Sequence, residues 1–278
     1  MKNHFLFFIA LLMLCFNVQA QINFPDSNFE QALLNHNPII DTNGDDKISI
    51  SEAEAITALS VLQSNISNLT GIQFFKNITS LNATNNNLTS IDLSNNILLK
   101  SLILRKNQLT TLNLSKNLEL SYLDASQNDL TQIDITNNIN LVNINLGFNE
   151  LSGLDVSKNL QLKNLFINTN KLTNLDISKN TLLTNLGANQ NSFPSVIDVS
   201  KNIELTRLAL SGKINGLDVS NNKKLQNLSL AFGDLESLNL SNNTELNSLD
   251  VLNNPNLNNL EVINMPKLSF FTIYQYIN

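Results

Sequence analysis

Cysteine is almost missing from this chain: of 278 residues only Cys15 carries a thiol, and tryptophan is absent. Past residue 20 no cysteine remains, so disulfides cannot brace the fold and stability must rest on packing and hydrogen bonding. Histidine is nearly as scarce, with His36 alone beyond that point. The chain also has no G-x-S-x-G, phosphate-loop, H-E-x-x-H or dinucleotide fingerprint. Catalysis therefore lacks its usual groups and an enzyme is not expected. Basic charge is in deficit too: 17 lysines and arginines against 23 acids leave a net charge of −6. That excludes the basic patch a phosphate backbone needs, so nucleic acid is not an expected partner.

Long hydrophobic runs are confined to one place, Phe5 to Phe16, after Lys2 and before Val18 and Ala20. The charge order and the A-x-A-like end read as a signal peptide over residues 1–20. About a dozen apolar residues fall short of the roughly 20 that span a bilayer, so no membrane span is expected. Leu14 before Cys15 is bulkier than the small residue that lipid attachment prefers. Location is expected to be extracytoplasmic: secreted, at the cell surface or in the periplasm.

What the chain has in quantity is leucine and asparagine in phase. Cuts at Leu88, Leu109, Leu130, Leu151, Leu172, Phe193, Ile214 and Leu235 stack it in units of 21 residues. Each unit contains L-x-x-L-x-L-x-x-N twice, as at Leu88, Ile91, Leu93, Asn96 and at Leu99, Leu102, Leu104, Asn107. The x-L-x-L alternation has period 2 and reads as short strands, against the 3.5 spacing of a coiled coil. The asparagines fall where the chain leaves a strand, and a buried amide there supplies a donor and an acceptor to turning backbone. Two such columns follow, one through Asn96, Asn117 and Asn138, the other through Asn107, Asn128 and Asn149, the second broken at Gly212 and Gly233.

This pattern resembles bacterial leucine-rich repeats of the nested 21-residue kind, over about three quarters of the chain. The resemblance implies a leucine-rich repeat solenoid: right-handed, β-rich, two short strands per coil, about ten coils over 67–278. At about 4.8 Å per coil it would be a rod or shallow arc roughly 45 Å long. A helical cap is expected over 21–66, covering the apolar end of the first coil. A monomer is expected.

Coils facing the same packing demands can be compared with one another. The outward residue of the first half-unit hardly varies: Asp92, Asn113, Asp134, Asp155, Asp176, Asp198, Asp218, Asn239 and Glu261. The matching column of the second varies freely: Ile103, Asp124, Asn145, Phe166, Gly187, Ala209, Ser229, Asp250 and Thr272. Around the varied column lie Arg105, Tyr122, Phe148, Phe166, Arg207 and Phe232, residue types that anchor recognition surfaces. Phe270 and Tyr274 follow as further anchors or as a cap on the last coil. The reading is a non-enzymatic binding module for a protein or glycan ligand, through the varied face. The alternatives are a surface-coating or adhesion protein without a specific ligand, and calcium-dependent glycan binding. For the acidic column, with lysines at 116, 158, 179 and 201 beside it, a solvated ladder is favoured over a row of ions.

In the cap, Ser27 with Glu30 and Ser49 with Glu52 have capping-box spacing and predict helices near 28–36 and 50–62. Between them Asp41, Asn43, Asp45, Lys47 through its carbonyl, Ser49 and Glu52 hold the ligand positions of a calcium loop. This resembles an EF-hand, and the related cap of secreted internalin-like proteins. Asp46 stands where the sharp turn calls for glycine, and Pro38 interrupts the entering helix. Two readings stay open: a weak structural calcium, on the order of 10⁻⁴ to 10⁻³ M, or a loop held by its own Asx hydrogen bonds.

Overall fold

The computed structural model describes residues 20–193, 197–212 and 214–273. The signal segment, up to residue 19, and Tyr274 lie outside them. Helix α1 (Ser27–Leu34) and helix α2 (Ile50–Ala55) form the cap. Strands β1 (Ala58–Ser60), β2 (Ser80–Asn82), β3 (Ser101–Ile103), β4 (Tyr122–Asp124), β5 (Asn143–Asn145) and β6 (Asn164–Phe166) follow at one per coil. Then come β7 (Asn185–Ala188), β8 (Arg207–Leu210), β9 (Asn227–Ser229), β10 (Ser237–Asn239), β11 (Ser248–Asp250), β12 (Asn259–Glu261) and β13 (Phe270–Thr272).

All but β10 and β12 join one parallel sheet of eleven strands. Its register is uniform, so Leu81, Leu102, Leu123, Ile144, Leu165 and Leu186 stand side by side and are buried. No coil closes a core alone; each apolar row is completed by the coil beside it. The fold is a leucine-rich repeat solenoid.

The alternation predicts two strands per coil, and most coils build one. Among the described residues first half-units pair only as β10 with β12 and as a single bridge between Asn113 and Asp134. Elsewhere a cleft of about 250 Å³ opens between coils beside Asp92, Asn113 and Ser115. The carboxylates supply a reason, since Asp134 faces Asp155 and Asp176 faces Asp198, and like charges in neighbouring coils repel. Both pairings that do form set an asparagine against an acid, Asn113 with Asp134 and Asn239 with Glu261. Asp92 with Asn113 and Asp218 with Asn239 meet the same condition and do not pair, so charge is only part of the reason.

The two asparagine columns also differ. In the second, Asn128 donates to the Leu104 and Ala125 carbonyls and accepts from the Leu109 N–H at 3.0 Å. In the first, Asn138 donates to the Leu114 and Asn117 carbonyls, but its buried Oδ1 has no hydrogen-bond partner. The same holds at Asn96, Asn117, Asn159, Asn180, Asn202, Asn222 and Asn243. The expectation that every ladder amide works in both directions is thus met at one corner only. At Gly212 the second column breaks with φ 114°, and it resumes at Asn254, which accepts from the Leu235 N–H.

Helix α1 is capped by Asp26, one residue before the expected Ser27, through the Asn28 and Phe29 N–H groups. The other Asp26 oxygen accepts from the Ser67 and Asn68 N–H groups and so fastens the helix to the coil beneath. The Ser49–Glu52 capping box is present. Helix α2 stops at Ala55, short of the expected 62, because Ile56, Leu59 and Val61 already follow the repeat pattern and Ala58–Ser60 pairs with β2. His36, buried, accepts from the Ser60 N–H at 3.1 Å, which covers a donor on the edge strand.

Candidate functional site

The varied column predicted from internal comparison is one line of the eleven-stranded sheet. Ile103, Asp124, Asn145, Phe166 and Gly187 are consecutive register partners, and Gly187, Ala209 and Ser229 continue the line. A second outward line runs through Tyr122, Asn143, Asn164, Asn185, Arg207, Asn227, Ser248 and Phe270. Central residues face the core, so by the two-residue period these lines both face outward.

Tyr122, Phe166 and Arg207 stand on this face as anticipated, Tyr122 and Phe166 being about two-fifths exposed. Burial, then the Asp124 carboxylate, raises the Tyr122 phenol above its usual range. Asp124 itself is occupied by the Ser126 N–H and hydroxyl at 3.0 and 2.6 Å. Asn185 donates to Asn164, which donates to Asn143, forming an amide row along the second line. From β6 onward the face sinks into a trough of about 380 Å³. Phe166 bounds one end and Phe270 the other, Arg207 and Asp250 line it, and Gly187, Ala209 and Ser229 form its floor. Phe166 and Phe270 lie five strand intervals apart, about 24 Å.

The other anticipated anchors lie elsewhere. Phe148 and Phe232 sit at the corner beyond the sheet, with φ 58° and 60°, in a left-handed column shared with Asn85, Lys106, Gln127 and Asn253. Bulky residues seldom take this conformation, and it turns both rings out into solvent. Arg105, past the end of β3, donates through Nε to Gln127 at 3.0 Å and belongs to that corner too. The floor residues were missed as site residues because a groove is made by small side chains, and small side chains look featureless in a sequence.

On the opposite side, Asp92, Asp134, Asp155, Asp176, Asp198 and Asp218 each accept the N–H two residues on, as Asp155 does from Ser157 at 2.8 Å. These bonds hold the carboxyls below their ordinary range. The column is thereby committed to turning the chain. A stripe unnoticed in the sequence lies near it: Ile97, Leu118, Ile139, Leu160 and Ile203 are 49 to 56 % exposed, on equivalent positions of their coils. Thr181, Lys223 and Thr244 occupy that position in other coils, so the fold does not demand an apolar residue there.

In the cap loop Asp46 takes φ 58°, the left-handed turn a calcium loop needs at that position, and Gly44 takes 71°. The oxygens, however, are engaged. Asp41 accepts from the Gly44, Asp45 and Asp46 N–H groups, Asn43 from Asp45, and Asp45 from Lys47. Glu52 accepts from Thr42 and Asn43 on one oxygen and from Ser49 on the other. Burial works against ionising it, yet those donors prevail and its pKa is lowered. Among the described residues no three histidine, cysteine or acid side chains are gathered into a group that could hold a metal ion. Backbone turn and residue spacing fit calcium, while the side-chain oxygens as arranged serve the loop.

No protein-family model matches the chain, and a search of curated proteins finds no match. Solved structures do match its fold. The functional domain of InlJ from Listeria monocytogenes superposes with a TM-score of 0.66 at 29% identity, over 88% of this chain and 61% of that one. This chain therefore spans about three-fifths of that domain's length. An internalin, InlF, from the same species gives 0.58 at 21% identity over 92% and 98% of the two chains. A leucine-rich repeat protein of Leptospira interrogans gives 0.61 at 21% over 80% and 67%. The InlJ domain is described as including a cysteine ladder. With one cysteine, this chain stacks asparagines in its own ladders instead. Among the described residues no helix is long and apolar enough to cross a membrane.

Proposed function

We propose that the chain is a non-enzymatic recognition module, exported from the cytoplasm, that binds a macromolecular ligand across the sheet face from β4 to β13. The observation that carries this reading is the contrast between two faces of one repeat. On one, residue identity is spent on Asx turns that every coil needs; on the other, Phe166, Arg207 and Phe270 stand among small and amide side chains around a trough, with Tyr122 exposed two strands away on the same sheet. Anchors beside a depression are the usual anatomy of a binding surface. The similarity to internalins supports the same reading through shared architecture. The lone histidine past residue 20 is buried in the cap, away from the trough, which supports a role without catalysis.

The cap loop we read as a brace for the first coil, with calcium as an added tie where it is abundant. Recognition does not depend on it. The test is a screen of the chain from Gln21 onward, immobilised, against protein and glycan arrays, beside a Tyr122→Ala, Phe166→Ala, Arg207→Ala triple variant. A ligand retained by the parent chain and lost by the variant is the expected result. A ligand that the variant retains would refute the sheet-face reading.

A further inference from the structure

Resting on that reading of the sheet face, the geometry points to a neutral, linear oligosaccharide as the occupant of the trough, lying across the strands along the solenoid axis. The platform is Phe166. A Cβ on Gly187 would stand only 3.0 Å from Phe166 Cδ1 and 3.0 Å from Asn168 Nδ2. With glycine there the ring edge can approach β7 while Phe166 stays about two-fifths exposed at the end of the trough. An exposed aromatic ring beside a groove suits the C–H face of a pyranose.

The floor and its surroundings fit the same ligand. Gly187, Ala209 and Ser229 are side by side on successive strands, so three coils in a row contribute at most a hydroxymethyl. Asn185, Asn227 and Ser248 line the trough beside them. Asn185 gives its N–H groups to Asn164 and Thr184 and offers a sugar hydroxyl its acceptor, while Asn227 gives one N–H to Asn247 and keeps the other beside its oxygen. The charges lining the trough, Arg207 and Asp250, cancel, and the chain as a whole carries −6, so an anionic glycan finds no net attraction. Coils repeat at about 4.8 Å, close to the rise of an extended hexose chain, so successive sugars would meet successive coils. A peptide is less well served. The trough's strands β7, β8 and β9 are paired on both sides within the sheet, leaving no edge for main-chain addition.

Titration calorimetry of the chain from Gln21 with cellohexaose, laminarihexaose, mannohexaose and chitohexaose tests this, with polygalacturonate as the acidic comparison. At least one neutral hexaose should bind, Phe166→Ala should weaken it about tenfold, and Ser229→Phe should abolish it by filling the floor. Ile139→Thr, on the far stripe, should bind as the parent does, and circular dichroism should show all three variants folded. Binding to none of the neutral hexaoses, preference for polygalacturonate, or affinity unchanged in both trough variants would overturn the proposal. A protein ligand lost on Phe166→Ala with no saccharide bound would overturn the sugar alone and leave the sheet-face reading standing. A ligand indifferent to both trough variants would overturn the two together.

Discussion

Asparagine performs two tasks at two corners of one coil, and only one is fully satisfied. Asn128 joins two carbonyls and an N–H, while Asn138 joins two carbonyls and keeps an idle Oδ1. Removing the first strands three backbone groups and should cost about 3 kcal/mol or more, against roughly 1 to 2 kcal/mol for the second, where an unsatisfied acceptor leaves with the side chain. Urea unfolding of Asn128→Ala and Asn138→Ala measures the difference; equal or reversed losses would contradict the assignment. The positions of both columns were legible in the sequence. The direction of their hydrogen bonds was not, because it depends on how each corner turns. Asp26 makes a second test. Burial opposes its ionisation, but the Ser67, Asn68, Phe29 and Asn28 N–H groups prevail and lower its pKa from 3.8. A depressed carboxyl stabilises the fold above its unfolded pKa and loses that contribution as pH falls through the folded value. Melting temperature should therefore drop on acidification below about pH 4, and Asp26→Asn should melt lower near neutrality with a shallower acid drop. An equally steep drop in the variant would remove Asp26 from the account.

Among elements, the cap shows where sequence patterns compete. The segment from Ile56 to Val61 suits both the tail of a helix and an x-L-x-L strand, and short apolar segments cannot be told apart by period alone. Pairing with β2 decides it as strand, and α2 ends early. The second strand of each coil was overread for a related reason: alternation allows a ladder but does not require one, and neighbouring carboxylates oppose it only where two acids meet. In the cap loop Asp41 alone receives three N–H groups. Asp41→Ala should lower the melting temperature by about 3 to 6 °C without calcium, and millimolar calcium should raise that of the parent chain. A melting temperature unchanged by the substitution would show that the loop does not brace the cap. Along the exposed stripe, Ile139→Thr should shift melting by less than about 1 °C, since Thr181 and Thr244 already stand at that position. A larger loss would mean the stripe is packed against something.

For the whole molecule, the repeat made the solenoid and its varied face readable before any coordinates, because every coil answers to the same packing rule. The trough was not readable. It arises from three small side chains that become neighbours only when their strands pair, and from a glycine that admits the Phe166 ring. Phe148 and Phe232 were misplaced because a left-handed corner, invisible in composition, carries them off the sheet. The central claim is that ligand meets this solenoid on the sheet face. Hydroxyl-radical footprinting with the ligand recovered from the arrays tests it most directly. Protection should concentrate on Phe166, Arg207 and Phe270, with Phe148, Phe232 and the stripe at Leu118 and Ile139 unchanged. Protection at the corner or along the stripe, with Phe166 still fully reactive, would contradict it.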